Sequence, residues 1–304
     1  MTTATSTPPA ALHSAARTAR TRNPRVVRRV GSILTWVAAA IVFVSSVFPV
    51  YWMLNTSLQP NAQVRGSELH FWPDNFTLEN YTSVIMGDTR APFLPALGNS
   101  LGVTLLTVAV SLVFAFLAAL AVTRFRFRSR AGFIIAILIV QMVPAEAMII
   151  AIFRLVDGWH LLNTIIGLSA VYIATVLPFT IWTLRGFVNG VPADLEEAAM
   201  IDGLSRAGAF WKITFPLLAP GLVATGIFGF IQAWNEFVFA LVLNPRPEAM
   251  TLPVWLRTFL DPNGGINWAE LMAASTLVAI PVVIFFLIVQ GRMTGGLVAG
   301  AVKG

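Results

Sequence analysis

The sequence predicts an all-α, polytopic membrane protein with six transmembrane helices. Of its 304 residues, 57% are hydrophobic and only 11% are charged, and the mean hydropathy is +0.77. Soluble domains carry about 25% charged residues. The apolar residues also fall into continuous runs of the length, about 20 residues, that a helix needs to cross a bilayer. They do not alternate with polar residues as in a membrane β-barrel.

Six apolar runs are candidates for the spans, which are numbered one to six in chain order. They are Ser32–Leu54, Leu97–Val122, Ala131–Phe153, Thr164–Leu184, Leu217–Leu243 and Glu270–Gln290. No internal repeat is visible, so residues 31–291 are expected to form one membrane domain. Span one is longer than the roughly 7–15 apolar residues of a cleaved signal peptide, and we interpret it as an uncleaved signal anchor.

The basic residues are distributed unevenly between the two sides that six spans would define. One side holds most of the 20 lysines and arginines. They lie before span one, between spans two and three (Arg124 to Arg130), between spans four and five, and after span six. Because cytoplasmic loops carry the excess of basic residues, both termini are predicted to be cytoplasmic. Residues 1–30 are expected to be a disordered basic tail, and residues 292–304 a cytoplasmic C-terminal tail.

Several classes of function are excluded or disfavoured by the residue inventory. The basic residues behind the net charge of +6 cluster on the predicted cytoplasmic side of the membrane. The charge is therefore a signal of topology and does not indicate nucleic acid binding. There is no cysteine, which excludes disulfides and thiolate metal sites. The three histidines are far apart in sequence and lack metal-ligand spacing, so no metal site is predicted.

The segment between spans four and five, residues 190–216, is unusually acidic for so apolar a chain. Asp194, Glu196 and Glu197 would place negative charge at the start of a short helix, where the helix dipole favours it. Gly203 follows Asp202 and can adopt the left-handed conformation that ends a helix.

The chain after this first short helix is predicted to form a second one. Ser205 would cap this helix, which runs to Trp211, and Pro216 would begin span five. Leu195, Ala198, Ala199 and Ile201 give the first short helix a modest apolar face. A connector lying on lipid headgroups normally carries a basic face. The acidic face therefore favours docking against a basic protein cleft, and small Ala198 and Ala199 would permit close approach.

The motif EAAMIDG, followed by nine residues and ITFP, resembles the EAA loop of ABC importer permeases. Glu197, Ala198, Ala199, Gly203 and Pro216 match its pattern, as does Ile213, while Phe215 replaces the usual leucine. The segments LPFTIWTLRGF, PLLAPGL, WNEF, TLPVWL and GGLVAGAVKG extend the resemblance to the six-span permease subunit of maltose-type carbohydrate importers. In span three, Ile152-Phe153 departs from the expected proline-aromatic pair.

This resemblance implies a type I ABC importer permease fold and a set of partners. The partners would be a second permease subunit in a heterodimer, two cytoplasmic ATPase subunits, an extracytoplasmic solute-binding protein and membrane lipid. The coupling residues would be Glu196, Glu197, Ala198, Ala199, Asp202 and Gly203. The chain lacks the G-x-x-x-x-G-K-[ST] loop of an ATP site. No cofactor is therefore expected in this chain, and ATP and Mg²⁺ would be bound by the ATPase.

Polar residues inside the spans are candidates for the translocation pathway. Gln232, Asn235 and Glu236 follow Gly229 at helical spacing in span five, and Glu146 lies beside Pro144 in span three. Polar side chains at this depth face a bundle interior or a water-filled cavity. They could line the pathway or form a buried structural cluster. Trp234 and Phe237 could stack on sugar rings or serve packing alone.

Two other functions compete with the importer subunit. A self-contained secondary transporter or channel would favour an inverted repeat or ionisable residues paired across spans, and neither is visible. An intramembrane enzyme would need a catalytic dyad or metal cluster in the spans. The sequence therefore predicts a bacterial inner-membrane import subunit without catalysis of its own. The solute stays open among sugars, polyols and sugar phosphates or phosphodiesters.

Overall fold

The structure is a computed structural model that describes residues 24–66, 68–87, 91–260 and 265–301, with side chains described between residues 32 and 291. The regular structure within these ranges is entirely helical. The helices are α1 (Pro24–Ser57), α2 (Asn61–Val64), α3 (Glu79–Met86), α4 (Phe93–Arg124), α5 (Arg130–Met142), α6 (Ile149–Gly158), α7 (Ile165–Gly190), α8 (Asp194–Ile201), α9 (Arg206–Ala209), α10 (Phe215–Asn235), α11 (Val238–Leu243), α12 (Leu252–Leu256) and α13 (Trp268–Ala301).

The two predicted tails are described only in part. Of the N-terminal tail, residues 1–23 are not described, and the backbone of α1 begins at Pro24. Of the C-terminal tail, the backbone of α13 is described as far as Ala301. The predictions for residues 1–30 and 292–304 therefore stay predictions.

The predicted fold class is confirmed, with five unbroken candidate spans and a bent pair of helices at the position of span three. Five helical segments are long and apolar enough to cross a membrane. They are Ser32–Ser57, Phe93–Arg124, Ile165–Gly190, Arg206–Asn235 and Trp268–Gly291. The sixth is a bent pair, Arg130–Met142 and Ala145–Gly158, whose axes differ by 78°. Pro144 lies at the bend, where it cannot donate a backbone hydrogen bond, and a 3₁₀ turn over Ala145–Met148 joins the two parts.

Span five begins and ends earlier than the sequence analysis predicted. The predicted Leu217–Leu243 helix stops at Asn235, because Glu236 has an extended backbone, and α11 starts again at Val238. At its other end the helix reaches back to Arg206, passing through a π-helical turn at Phe210–Thr214. The predicted separate second helix, Ser205 to Trp211, is therefore the first part of span five. Pro216 lies within the long helix and does not begin it.

The chain divides into two units, residues 1–51 and 52–304. In the first unit, every described side chain from residue 32 to residue 50 is exposed, including Trp36 at 75%. These side chains are predominantly apolar, as expected for a helix surrounded by lipid or by other membrane helices.

The core of the second unit is a packed group of three long helices, α4, α7 and α10. Ala115 and Ala119 of α4 are fully buried, and their small side chains permit close approach of the neighbouring helices. Gly221 of α10 allows an even closer contact with α7. A Cβ atom at this position would lie 2.5 Å from the Cγ atom of Phe187.

The segment between span one and α4, which the predicted topology places outside the cytoplasm and which is here called the outer segment, packs against α13 of the second unit. Asn80 of α3 donates hydrogen bonds to the carbonyls of Ser57 (2.8 Å) and Gln59 (2.9 Å). The outer loop after span five contains α12, whose Trp255 is fully buried and donates to the Ala91 carbonyl at 2.6 Å. These hydrogen bonds fix the outer end of the bundle.

Candidate functional site

The acidic segment forms a short helix with a defined stop. Helix α8 carries Asp194, Glu196 and Glu197 in its first turn. Gly203 has a φ of +94°, so the predicted left-handed position is confirmed. The N–H of Gly203 donates to the Met200 carbonyl (3.1 Å), and the N–H of Leu204 donates to the Ala199 carbonyl (3.1 Å). This pair of hydrogen bonds is the Schellman motif, which fixes the direction of the chain after the helix.

The predicted coupling residues lie on two different sides of α8. Glu197, Ala198, Asp202 and Gly203 are exposed, and Ile201 is 87% exposed. Ala199, by contrast, is 8% exposed and packs into the chain's own fold. The exposed side is therefore acidic, with apolar residues between the charges.

Glu196 faces inward and joins three segments of the chain. Its Oε1 atom accepts a hydrogen bond from the hydroxyl of buried Thr214 at 2.6 Å. Nη2 of Arg124, at the end of span two, lies 3.8 Å from the same oxygen and donates to the Val191 carbonyl at 3.0 Å. Glu196 therefore links α8 to span two and to the π-helical turn.

The chain after Gly203 leads directly into span five. Ser205 accepts a hydrogen bond from the N–H of Gly208 at 3.1 Å, which confirms its predicted capping role. The π-helical turn that follows is packed by aromatic rings. Phe210 and Phe215 lie 6.2 Å and 6.0 Å from the ring of Phe116 in α4. The junction between α9 and α10 is therefore a π-helical turn packed against span two.

A second candidate site is a polar cavity of about 170 Å³ where the broken spans three and five meet. Its lining residues come from the 3₁₀ turn and from α7, α10 and α11. They are Ala145, Glu146, Tyr172, Thr175, Val176, Gln232, Ala233, Glu236 and Phe239. Three of the predicted pathway residues, Glu146, Gln232 and Glu236, are thus brought together.

The other two predicted pathway residues do not line this cavity. Gly229 is buried, and a Cβ atom there would meet Val176 at 3.5 Å and Val108 at 3.8 Å, so its place is in helix packing. Asn235 donates to the Ile231 carbonyl of its own helix at 2.8 Å. Trp234 is 2% exposed and stacked on Phe230 with ring centroids 5.5 Å apart, which favours packing over sugar contact.

Glu236 holds the break in span five together. One carboxylate oxygen, Oε1, accepts from the N–H of Phe239 at 2.8 Å. The other, Oε2, accepts from the N–H of Ala240 at 3.1 Å and from the hydroxyl of Tyr172. The first N–H groups of α11 would otherwise lack partners in the membrane, where an unsatisfied backbone group costs several kcal/mol.

Sequence reasoning missed Tyr172, Thr175, Thr214 and Arg124 as members of these sites. Tyr172 did carry a signal, since it is the one tyrosine well inside a predicted span and a buried tyrosine hydroxyl requires a partner. Thr214 and Arg124 carried no such signal. Each has the local sequence of a loop or a helix end, and Arg124 is far in sequence from Glu196, which both residues contact.

Comparison with known proteins places the chain in a family. A family model described as "Binding-protein-dependent transport system inner membrane component" matches residues 111–294. The diacetylchitobiose uptake system permease protein DasC of Streptomyces coelicolor is 44% identical over 90% of this chain and 98% of its own length. The trehalose transport system permease protein SugB of Mycobacterium tuberculosis is 37% identical over 85% and 93%, respectively.

Two further comparisons agree with these. The trehalose/maltose transport system permease protein MalG of Thermococcus litoralis is 36% identical over 90% of this chain and 97% of its own length. The crystal structure of a bacterial ABC transporter involved in the import of the acidic polysaccharide alginate contains a chain with a similar fold. Its TM-score is 0.73 at 24% identity, over 86% of this chain and 96% of that one.

These similarities confirm the predicted ABC importer permease fold and the interpretation as a transport subunit, not an enzyme. The family model covers more than half of the chain, and the relatives align along nearly their whole length. The chain therefore belongs to the family of binding-protein-dependent transport system inner membrane components.

Proposed function

We propose that the chain is one of two permease subunits in an ATP-driven importer of a sugar or sugar-like solute. The observation that carries this proposal is the exposed acidic side of α8, held in a fixed direction by its Schellman stop and by the inward contact of Glu196. The permease relatives named above are named for diacetylchitobiose, trehalose and maltose, which supports a saccharide as the solute.

In this proposal α8 docks in a basic cleft of a cytoplasmic ATPase subunit. Glu197, Ala198 and Asp202 would contact the cleft directly, because they are exposed. Glu196 and Ala199 would hold α8 in position without contacting the cleft, since both are turned toward the chain's own fold. ATP and Mg²⁺ would be bound by that partner, and movement of the ATPase would reach the spans through α8.

The remaining partners are a second, different permease subunit and an extracytoplasmic solute-binding protein. The polar cavity bordered by Glu146 and Gln232 would form one wall of the pathway at the interface with the second permease. A solved alginate importer in complex with a substrate-bound periplasmic protein supports this kind of assembly.

The test of this proposal is reconstitution in proteoliposomes. The chain is co-expressed with its second permease, its ATPase and its binding protein, and uptake of radiolabelled N,N′-diacetylchitobiose, trehalose and maltose is measured. We expect uptake to require ATP on the side of the membrane where the ATPase subunits lie. Uptake should be lost when any one partner is omitted. Uptake by the chain alone, driven by an ion gradient, would instead support a secondary transporter.

The proposed orientation has a separate test, because the chain contains no cysteine. Single cysteines are introduced at Ser129, exposed between α4 and α5, and at Leu69, 74% exposed in the outer segment. With a membrane-impermeant maleimide applied to intact cells, we expect Leu69→Cys to be labelled and Ser129→Cys to be labelled only after permeabilisation. The opposite pattern would invert the topology and place α8 outside the cytoplasm.

A further inference from the structure

We infer that the cavity between the breaks of spans three and five contacts one ring of a neutral, hydroxyl-rich solute and disfavours anionic solutes. This inference rests on the proposed import function and specifies the class of solute that the pathway accepts. It assigns direct contact to Glu146 and Gln232, and a positioning role to Glu236.

The first argument is the backbone around the cavity. Span three leaves its helix at Val143 and Pro144, and span five leaves its helix at Glu236, and both breaks border the same cavity. Non-helical backbone at membrane depth is tolerated where it is buried in protein or lines a cavity. Discontinuous helices that meet near the middle of the membrane are typical of solute sites in transporters.

The second argument is which polar groups are free. Both carboxylate oxygens of Glu236 are occupied by Tyr172, Phe239 and Ala240, so this side chain is fixed. The side chains of Glu146 and Gln232 are exposed and make no hydrogen bond within the part of the chain that the structure describes. They can therefore exchange water for solute hydroxyl groups, with the carboxylate accepting hydrogen bonds and the amide both donating and accepting them.

The third argument is charge. Two carboxylates line the cavity, and none of its lining residues is lysine, arginine or histidine. A phosphate, sulfonate or carboxylate group would meet like charge from Glu146 and Glu236, and this repulsion would disfavour its entry. A hydroxyl group meets an acceptor there instead. Val176, Ala233 and Phe239 complete the wall with apolar surface for the C–H face of a sugar ring.

The fourth argument is size. The cavity volume of about 170 Å³ is below the roughly 300–1,000 Å³ of a complete small-molecule site. It therefore accommodates one ring of a longer saccharide, and the rest of the solute must be enclosed by surfaces beyond this cavity.

The test uses the complete reconstituted importer with the neutral saccharide that it transports best, chosen from N,N′-diacetylchitobiose, trehalose and maltose. Uptake and binding-protein-stimulated ATP hydrolysis are measured for Glu146→Lys, Glu146→Gln and Gln232→Leu. The control is Glu248→Gln, which changes an exposed glutamate away from the cavity. We expect Glu146→Lys and Gln232→Leu to lower the uptake rate at least ~10-fold with ATP hydrolysis retained, because the first removes an acceptor of solute hydroxyl groups and the second removes both a donor and an acceptor. The control should transport normally.

Selectivity is measured with the 6-phosphate of the same saccharide. Its affinity for the binding protein is determined by calorimetry, so that delivery can be separated from passage through the permease. We expect the wild-type importer to discriminate against the phosphate beyond the difference in delivery, and Glu146→Gln to reduce this discrimination.

Three results would overturn the inference. The first is wild-type uptake by both Glu146→Lys and Gln232→Leu. The second is a loss of ATP hydrolysis parallel to the loss of uptake, because it would assign these residues to the fold. The third is unchanged discrimination against the phosphate in Glu146→Gln. Absence of ATP-dependent uptake by the wild-type assembly would instead contradict the proposed function.

Discussion

Replacing Glu197 with lysine should abolish ATP-driven uptake while leaving the chain folded and inserted. Glu197 is exposed in the first turn of α8 and makes no ion pair within the described residues. Its loss therefore costs the fold only the roughly 0.3–1 kcal/mol of a charge near a helix N-terminus. In a basic cleft, however, the lysine would place like charges together, which costs several kcal/mol at an interface. Co-purification of the ATPase and the uptake rate measure the effect.

A matched control for this variant is Glu79→Lys. Glu79 is also an exposed acid in the first turn of a short helix, α3, but it lies in the outer segment. We expect this variant to retain ATPase binding and uptake. Normal ATPase binding and transport by Glu197→Lys would refute the coupling role of α8. Recovery of assembly by an acidic substitution in the ATPase cleft would support it further.

Replacing Glu236 with leucine should destabilise the bundle strongly. The change leaves the N–H groups of Phe239 and Ala240 without their acceptor and removes the carboxylate that accepts from the hydroxyl of Tyr172. Hydrogen bonds to a charged group contribute about 1.5–3 kcal/mol each, so the loss of three should exceed ~3 kcal/mol. We expect a large fall in the apparent melting temperature of the purified chain in detergent, measured by loss of the monodisperse size-exclusion peak on heating.

Two milder variants separate this effect from the loss of charge. Glu236→Gln keeps one acceptor oxygen and should cost less than the leucine variant. Tyr172→Phe removes a single donor and leaves both N–H groups of α11 capped. A melting temperature for Glu236→Leu equal to that of the wild type would contradict the role of Glu236 in holding the break.

The sequence predicted most of the fold because apolar length and helix-ending residues are local signals. Gly203 and Ser205 were placed correctly because a left-handed glycine and a hydroxyl cap act within a few residues of themselves. The break at Glu236 was not predicted, because neither proline nor glycine marks it and the residues on both sides of it are compatible with a helix. Its cause is a carboxylate that caps α11 and meets Tyr172, a contact across 64 residues of sequence.

In the functional sites, too, local features were predicted from the sequence and contacts between distant segments were not. Helical periodicity grouped Gly229 with Gln232 and Glu236, yet the neighbouring helices decide which of these positions faces a cavity, and Gly229 packs against Val176 instead. Likewise, the acids of α8 were grouped by their order in the chain. The inward turn of Glu196 depends on Thr214 and Arg124, which only the folded chain brings to it.

The continuity of Arg206–Asn235 determines how far a disturbance at α8 can travel. Thirty residues of helix measure about 45 Å at 1.5 Å per residue, enough to cross the bilayer in one piece. One end of this rod follows directly from Gly203, and the other carries Gln232 into the polar cavity. A tilt of a few degrees imposed at the docking end would shift the far end by several ångströms. In the proposed importer, the span that follows the docking helix α8 would therefore also carry the movement to the polar cavity, with no intermediate element between them.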